Sequence, residues 1–187
     1  MKDKKLLHQV QEVVWKNKGA FAGVSDTKLG KCSLVEFEVE LKEGARPVRH
    51  RSRPLNPRQQ ASLDEQIKLW LSEGVAEEAI PDEECYISPL VPVPKSDGGT
   101  RWCVDFRSLN AQTKMQYGNL PRVEDNLTRL GGSTVFSSLD ASWAYSNVQV
   151  KESSRKYMFV AAPGRMLRFN RMTFGLSNAG YFLFPHG

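Results

Sequence analysis

The spacing of apolar residues predicts two amphipathic helices in the first half of the chain. Apolar residues recur at intervals of three and four between residues 4 and 17, which predicts a helix there. A second helix is expected after Asn56, because Asn56 can cap it, Pro57 suits its first turn and Gly74 suits its end. Its apolar stripe is expected to pack in the core and consists of Leu63, Ile67, Trp70 and Leu71.

Alternation of apolar and polar residues predicts the strands. In "LVEFEVEL" (residues 34–41) apolar residues alternate with glutamates, as on a half-buried strand. "SPLVPVPK" (88–95) and "RWCVDFRSLN" (101–110) flank the turn "SDGG" and predict a hairpin. The prolines of its first strand restrict that strand to an edge or bulged position. A second hairpin is expected in residues 157–172, turning at Pro163.

The remaining elements are mixed in type. "NLPRVEDNLTRLGG" predicts a short helix with Pro121 near its start and Gly131 at its end. The next run, "STVFSSLD" (133–140), is expected to form a buried strand, and a last helix begins in "SNAGYFLF" (177–184). Because helices are interleaved among hairpins, the order favours an α+β fold over a regular βαβ alternation.

Length and composition limit the class of protein. The 187 residues allow one domain, or a large domain with a short extension, and 40% hydrophobic with 25% charged residues is ordinary for a soluble globular protein. No apolar run reaches the roughly 20 residues of a membrane span, and the charged start lacks a secretory signal, so no membrane partner is expected. Three cysteines without metal-ligand spacing indicate reduced thiols in an intracellular protein, cytoplasmic or nuclear.

Positive charge is concentrated in one segment. The net charge of +5 by itself favours polyanionic partners only weakly. "RPVRHRSRPLNPR" (residues 46–58) combines five arginines with three prolines. Such a segment is typical of a phosphate-contacting arm and equally of a solvated linker, and composition leaves both open. The candidate nucleic-acid contacts are Arg46, Arg49, Arg51, Arg53 and Arg58.

A single carboxylate, Asp140, stands in an otherwise apolar and hydroxyl-rich run, residues 133–150. A buried carboxylate without a partner is costly, so it is expected to have a cation, a hydrogen-bond donor or a chemical role. From the residues alone, "DAS" after a strand is also typical of a helix cap or turn.

Other notable side chains have ordinary structural roles when judged from the residues alone. Lys95 and Arg101 flank the tip of the first hairpin, as exposed hairpin charges commonly do. Tyr145 is then a core aromatic residue. Asp105 and Arg107 are expected to form a structural ion pair whatever the function of the protein.

Three stretches resemble the reverse transcriptases of gypsy-type LTR retrotransposons, in that family's order and spacing. They are "SPLVPVPKSDGGTRWCVDFRSLN", "LPRVEDNLTRLGGSTVFSSLD" and "GRMLRFNRMTFGLSNAG". The resemblance covers about residues 37–180 and implies a right-hand polymerase with fingers and part of the palm, an α+β fold of mixed antiparallel hairpins with packed helices. Residues 34–187 would form this domain, and residues 1–33 an N-terminal helix and loop extension.

The resemblance implies a metal-dependent nucleotidyltransferase that copies RNA and DNA templates. In that family the aspartate matching Asp140 binds catalytic Mg²⁺ (or Mn²⁺), and the carbonyl oxygen matching Ala141 adds a ligand. Oxygen ligands suit this hard cation, which commonly binds one or two carboxylates together with substrate phosphates. The implied partners are an RNA/DNA template-primer and deoxynucleoside triphosphates.

The resemblance also implies a nucleotide pocket. Lys95 and Arg101 match the fingers cations that grip the triphosphate, where positive charge stabilises phosphoryl transfer. Tyr145 matches the aromatic residue that lies beneath the sugar and excludes a 2′-hydroxyl by its volume. Phe174 and Gly175 match the "PFGL" segment that lines the pocket.

The sequence departs from the family pattern in ways that bear on activity. The family's second acidic motif has two adjacent aspartates, whereas Glu152 is the only acidic residue after Asp140. Thr173 and Gly180 replace the prolines of "PFGL" and "NAP". The expectation is therefore a truncated polymerase fragment that is inactive alone, or active when a second polymerase chain supplies carboxylates. The alternatives are a non-catalytic, basic nucleic-acid-binding remnant and a decayed gene product without a selected role.

Overall fold

The computed structural model describes residues 4–20, 29–96, 98–117 and 122–183. The chain divides into two units, residues 1–30 and 31–187. In the first unit, α1 (Lys4–Lys16) is the helix that the apolar spacing predicts, and a 3-10 turn follows at Lys18–Ala20. Within the described residues, no helix combines the length and the apolar character that crossing a bilayer requires.

A five-stranded mixed sheet organises the second unit. Its order is β2-β7-β6-β3-β4; β3 and β6 run parallel, and the other neighbours are antiparallel. These strands are β2 (Ala76–Glu78), β3 (Ile87–Pro94), β4 (Thr100–Val104), β6 (Phe159–Ala162) and β7 (Arg165–Phe169). A separate parallel pair consists of β1 (Cys32–Phe37) and β5 (Val148–Val150). The combination of mixed sheet and interspersed helices confirms the predicted α+β class.

Helix α2 (Pro57–Ser72) forms where the sequence predicts it. The side chain of Asn56 accepts a hydrogen bond from Gln59 N at 2.8 Å, and the Gln59 side chain accepts one from Asn56 N at 3.1 Å, which completes a capping box. The stripe residues Leu63, Ile67 and Trp70 are buried. Burial of each such side chain stabilises the fold by roughly 1.5–3 kcal/mol, so α2 is held mainly by its apolar face.

Two strands end earlier than their sequence patterns predict. β1 stops at Phe37, because the following backbone groups bond elsewhere: Val39 N donates to Ser154 Oγ at 2.9 Å, and Lys42 N donates to Gln112 O at 2.7 Å. β4 stops at Val104, and the helix α3 (Arg107–Gln112) follows in place of a continuing strand.

The position of β3 in the sheet also differs from the prediction. Its prolines favoured an edge or bulged strand, yet it pairs with two neighbours. Residues 87–89 pair with β6, whereas residues 90–94 pair with β4. Each half of β3 therefore pairs with one strand only. The missing N–H group of Pro89, Pro92 or Pro94 can then affect at most one of the two ladders.

The second hairpin and the last two helices agree with the sequence. β6 and β7 are joined by a turn in which Gly164 has φ +74°. Helix α4 (Val123–Leu130) ends at the predicted Gly131, whereas Pro121 lies outside the described residues. Helix α5 (Ala179–Leu183) begins the C-terminal segment.

Candidate functional site

Two of the predicted pocket residues meet in the structure. The rings of Tyr145 and Phe174 have their centroids 4.5 Å apart at an interplanar angle of 49°. Tyr145 lies in the 3-10 turn Ala144–Asn147 before β5, and Phe174 lies in the turn after β7. Phe174 is 55% exposed, so this aromatic pair keeps a surface open to a ligand.

The turn that carries Phe174 lies directly against the end of β4. Gly175 has φ +95°, and a Cβ atom there would lie 3.1 Å from the carbonyl oxygen of Val104. Only glycine accepts both this backbone conformation and this approach without a shift. Asn110 on α3 donates from Nδ2 to Gly175 O at 2.7 Å and accepts at Oδ1 from Ser177 N at 3.0 Å. The turn is therefore bound to α3 as well as packed on β4.

The hairpin of β3 and β4 carries the two candidate triphosphate cations. Lys95 follows β3, where its backbone N donates to Gly99 O at 2.9 Å and helps to close the tip. Arg101 lies in β4, and both side chains are exposed. Since β4 ends at Val104, the strand that carries Arg101 continues directly into the contact with Gly175.

Asp140 lies in an exposed segment, which corrects the prediction of a buried strand. Residues 133–141 pair with no other described segment, and Leu139 is 80% exposed. A strand needs a neighbour for its backbone hydrogen bonds, and none is present here among the described residues. The argument that Asp140 needs a partner because it is buried is therefore wrong for this structure. Trp143, in the left-handed region at φ +52°, joins this segment to Tyr145.

The described residues do not by themselves complete a magnesium centre. They contain no cluster of three or more histidine, cysteine or acidic side chains suited to a metal ion. Asp140 and the carbonyl group of Ala141 offer two ligand groups, both on exposed residues, whereas Mg²⁺ requires near-octahedral coordination.

The arginine-rich segment is attached to the sheet by its backbone. Ile87 N donates to Val48 O at 2.9 Å, and His50 N donates to Ile87 O at 2.8 Å. The Arg46 N–H donates to Gln112 Oε1 at 2.6 Å. The five arginines identified from the sequence, Arg46, Arg49, Arg51, Arg53 and Arg58, are all exposed. The segment therefore presents cations from a fixed path, unlike a free linker.

Asp105 joins this segment to the start of α3. The Arg107 guanidinium binds its carboxylate through two hydrogen bonds, Nε to Oδ1 at 2.7 Å and a terminal nitrogen to Oδ2 at 2.6 Å, which confirms the expected pair. Arg53 approaches the same carboxylate at 3.2 Å. Chiefly because of the Arg107 hydrogen bond, the pKa of Asp105 is lowered to about 2.

The Asp105 cluster predicts a pH-dependent contribution to stability. Since the folded-state pKa lies below the unfolded value of 3.8, the contribution is present above about pH 4 and is lost as pH falls towards 2. We expect Asp105→Asn to lower the free energy of unfolding by about 1–2 kcal/mol at pH 7, allowing for the solvent exposure of both arginines. The difference from wild type should shrink towards pH 2 in urea titrations.

A matched control for this prediction is Glu38→Gln. Glu38 also pairs with a cation, Lys151, but both side chains are more than a third exposed. Its effect should be small because exposed pairs contribute little. If the free energy of unfolding of wild type exceeded that of Asp105→Asn by the same amount at pH 7 and pH 2, the stabilisation could not come from the ionised Asp105 carboxylate.

Two asparagines important to the site were not identified from the sequence. Besides Asn110, the buried Asn178 donates from Nδ2 to Lys114 O at 2.8 Å and accepts at Oδ1 from Gln116 N at 3.1 Å. Their partners are backbone atoms of distant segments, and neither hydrophobic periodicity nor charge patterning detects such bonds.

Comparisons with known proteins relate the chain to reverse transcriptases. Residues 93–183 match the family described as reverse transcriptase (RNA-dependent DNA polymerase). The Tf2-3 and Tf2-7 transposon polyproteins of Schizosaccharomyces pombe are each 30% identical to this chain over 145 residues, which are 78% of the chain and 11% of the polyprotein. The chain thus spans about a tenth of the length of these relatives.

Solved structures agree on the fold. A crystal structure of prototype foamy virus protease-reverse transcriptase superposes with a TM-score of 0.74 and 18% identity, covering 96% of this chain and 24% of that one. The foamy viral protease-reverse transcriptase in complex with an RNA/DNA hybrid superposes with a TM-score of 0.75 and 16% identity. This match covers 97% of this chain and 24% of that one. The chain is therefore similar to reverse transcriptases over residues 93–183 and has the reverse-transcriptase fold, and transposon polyproteins are among its relatives.

Proposed function

We propose that the chain provides the fingers and part of the palm of a gypsy-type LTR-retrotransposon reverse transcriptase, which synthesises DNA on a template. The observation that carries this proposal is the contact of Tyr145 with Phe174 beside the end of β4. Motifs that are far apart in the sequence meet there, as a nucleotide pocket requires.

In this proposal the pocket binds a deoxynucleoside triphosphate. Lys95 and Arg101 neutralise the phosphates, and arginine can bind them through two parallel hydrogen bonds. Tyr145 lies beneath the sugar, while Phe174 and Gly175 form the adjoining wall. The rings of Tyr145 and Phe174 are in contact, so the two residues form one continuous aromatic wall.

Asp140 would supply one ligand of a Mg²⁺ ion, and additional polypeptide would supply the remaining carboxylates. The exposed segment around Asp140 supports this view. Val135, Phe136 and Leu139 are 60–80% exposed, and residues 133–140 have the apolar pattern of a strand without a described neighbour. The 187 residues alone are then expected to bind substrates without extending a primer.

The template-primer would lie along the arginine-rich segment. Its five arginines are exposed while its backbone is fixed to β3 and α3, so phosphate contacts need little ordering of the chain. The foamy viral protease-reverse transcriptase, whose fold this chain shares, has been solved with an RNA/DNA hybrid and with double-stranded DNA.

The test is the effect of Asp140→Asn on Mg²⁺-dependent binding of dTTP to the full chain. Mg²⁺ should tighten dTTP binding to wild type, and the substitution should reduce that gain by about tenfold, because it removes a charged oxygen ligand. Calorimetry with and without Mg²⁺ measures the gain. Asp125→Asn is the matched control, since Asp125 is exposed on α4, and it should leave the gain unchanged.

Primer extension on the same samples separates the outcomes. Asp140-dependent synthesis by the 187-residue chain would refute the need for further carboxylates while supporting the polymerase site. Absence of any Mg²⁺-dependent dTTP binding would refute the nucleotide site.

A second candidate function is a nucleic-acid-binding module without chemistry. The fixed, exposed arginine segment favours it, because phosphate contacts need no metal. Salt-sensitive binding of an RNA–DNA duplex without Mg²⁺-dependent nucleotide binding would select this function.

A further inference from the structure

We propose that Asn110 is a positioning residue that sets the discrimination of the pocket between deoxyribo- and ribonucleoside triphosphates. It would act without touching the nucleotide, by holding the turn that carries Phe174. The inference rests on the proposed nucleotide pocket and adds the element that fixes its shape.

The Asn110 carboxamide uses both of its polar ends on one turn. Nδ2 donates to Gly175 O at 2.7 Å, and Oδ1 accepts from Ser177 N at 3.0 Å. Residues 174–177 form turns and belong to no strand, so no strand ladder holds them. The turn is therefore held by a side chain from α3 in place of a backbone ladder.

Steric contact restricts the direction in which this turn can move. At Gly175, an added methyl group would meet Val104 O at 3.1 Å and the Phe106 ring at 3.7 Å, and Phe106 is buried. The turn is thus already close to β4 and α3. Loss of the two Asn110 bonds can release it only outward, away from these elements.

An outward shift would alter the aromatic pair. Phe174 directly precedes Gly175, and its ring contacts Tyr145 with a centroid distance of 4.5 Å. Tyr145 is the residue proposed to exclude the 2′-hydroxyl by its volume. If Phe174 no longer supports that ring, the ring gains freedom and the space for a 2′-hydroxyl increases.

The other end of this segment has an independent attachment. Asn178 bonds to Lys114 O and Gln116 N and is 2% exposed. The start of α5 should therefore remain in place when Asn110 is changed, so that the turn alone is loosened. This confines the expected effect to the neighbourhood of Phe174.

The experiment compares Asn110→Asp and Asn110→Leu in the full chain. Aspartate keeps the acceptor for Ser177 N but loses the donor to Gly175 O, whereas leucine loses both at similar volume. Binding of dTTP and of ribothymidine triphosphate, which differs from it only by the 2′-hydroxyl, is measured with Mg²⁺ by calorimetry. Hydrogen exchange is measured for peptides covering residues 173–178 and for β6 and β7.

We expect the ratio of deoxyribonucleotide to ribonucleotide affinity to fall about fivefold in Asn110→Asp and more in Asn110→Leu. Exchange in residues 173–178 should accelerate about tenfold, while that of β6 and β7 stays unchanged. A general loss of stability would lower both affinities without changing their ratio. Asn126→Asp, the same substitution at an exposed position of α4, should change neither the affinity ratio nor the exchange rates.

The outcomes separate this inference from the proposed function. If wild type binds dTTP but the Asn110 variants keep its selectivity or its slow exchange, the role of Asn110 is refuted and the pocket stands. If wild type binds no triphosphate, the pocket and the positioning role are both refuted, whatever the exchange shows.

Discussion

Replacing Arg46, Arg49 and Arg51 together with glutamine is expected to weaken binding of an RNA–DNA duplex by about 100-fold at low salt. The dependence of log affinity on log salt should also become shallower, by about 2 to 3 units, because each lost phosphate contact releases one fewer counterion. Fluorescence anisotropy titrations over a range of salt concentrations measure both quantities.

These three arginines are suited to phosphate contact because no described carboxylate neutralises them. Within the described residues they form no salt bridge, whereas Arg53 of the same segment pairs with Asp105. Their backbone is fixed by bonds to Ile87 and Gln112. Binding then costs mainly the ordering of side chains, since the path of the chain is already set.

The matched control removes three cations that already have partners. Lys156, Arg165 and Arg168 bind glutamates of neighbouring segments, namely Glu84, Glu78 and Glu77. Changing these three to glutamine alters the net charge equally but should leave the salt dependence nearly unchanged. An equal loss in both triple variants would mean that overall charge, and not this segment, attracts the duplex.

The parts of the fold that the sequence predicts well are those with complete local signals. α2 has a capping box, a proline in its first turn and a regular apolar stripe, and it forms as predicted. The hairpin of β6 and β7 has alternation and a Pro-Gly turn. In contrast, the interior position of β3 depends on pairing with β6, which lies far along the chain, and local pattern carries no information about it.

The segment around Asp140 shows why pattern alone is insufficient. Residues 133–140 have the composition of a strand, but a strand exists only where another segment accepts its hydrogen bonds. The described residues provide no such neighbour, so the apolar side chains remain exposed. Burial of Asp140 could not be deduced from its surroundings in the sequence, because burial is a property of the pairing.

The candidate site was predictable in part. The motif resemblance identified Tyr145 and Phe174, and the structure brings their rings into contact. It did not identify Asn110, whose partners are backbone atoms 65 and 67 residues away. Side chains that bond to a distant backbone leave no periodic signal, so they are found only once the fold is known.

Phe169→Ala is expected to lower the free energy of unfolding by about 3–5 kcal/mol, which is a large share of the roughly 5–15 kcal/mol typical of a domain. Phe169 is fully buried in β7, inside the five-stranded sheet. Its ring lies 5.0 Å from that of Trp70 in an edge-to-face arrangement, so truncation removes both apolar contact and the link to α2. Urea unfolding followed by Trp fluorescence measures the change.

Phe174→Ala provides the control with the same chemical change at an exposed position. Because Phe174 is 55% exposed and its ring contacts Tyr145, we expect a loss of less than about 1 kcal/mol in stability together with weaker dTTP binding. Phe169→Ala measured below its unfolding transition should retain the wild-type affinity of the folded fraction. If both substitutions destabilised the protein equally, Phe174 would be packed as tightly as Phe169. That result would contradict the assignment of Phe169 to the core and Phe174 to the pocket. A stable Phe174→Ala variant with reduced dTTP affinity would instead place that ring in recognition and Phe169 in the support of the sheet.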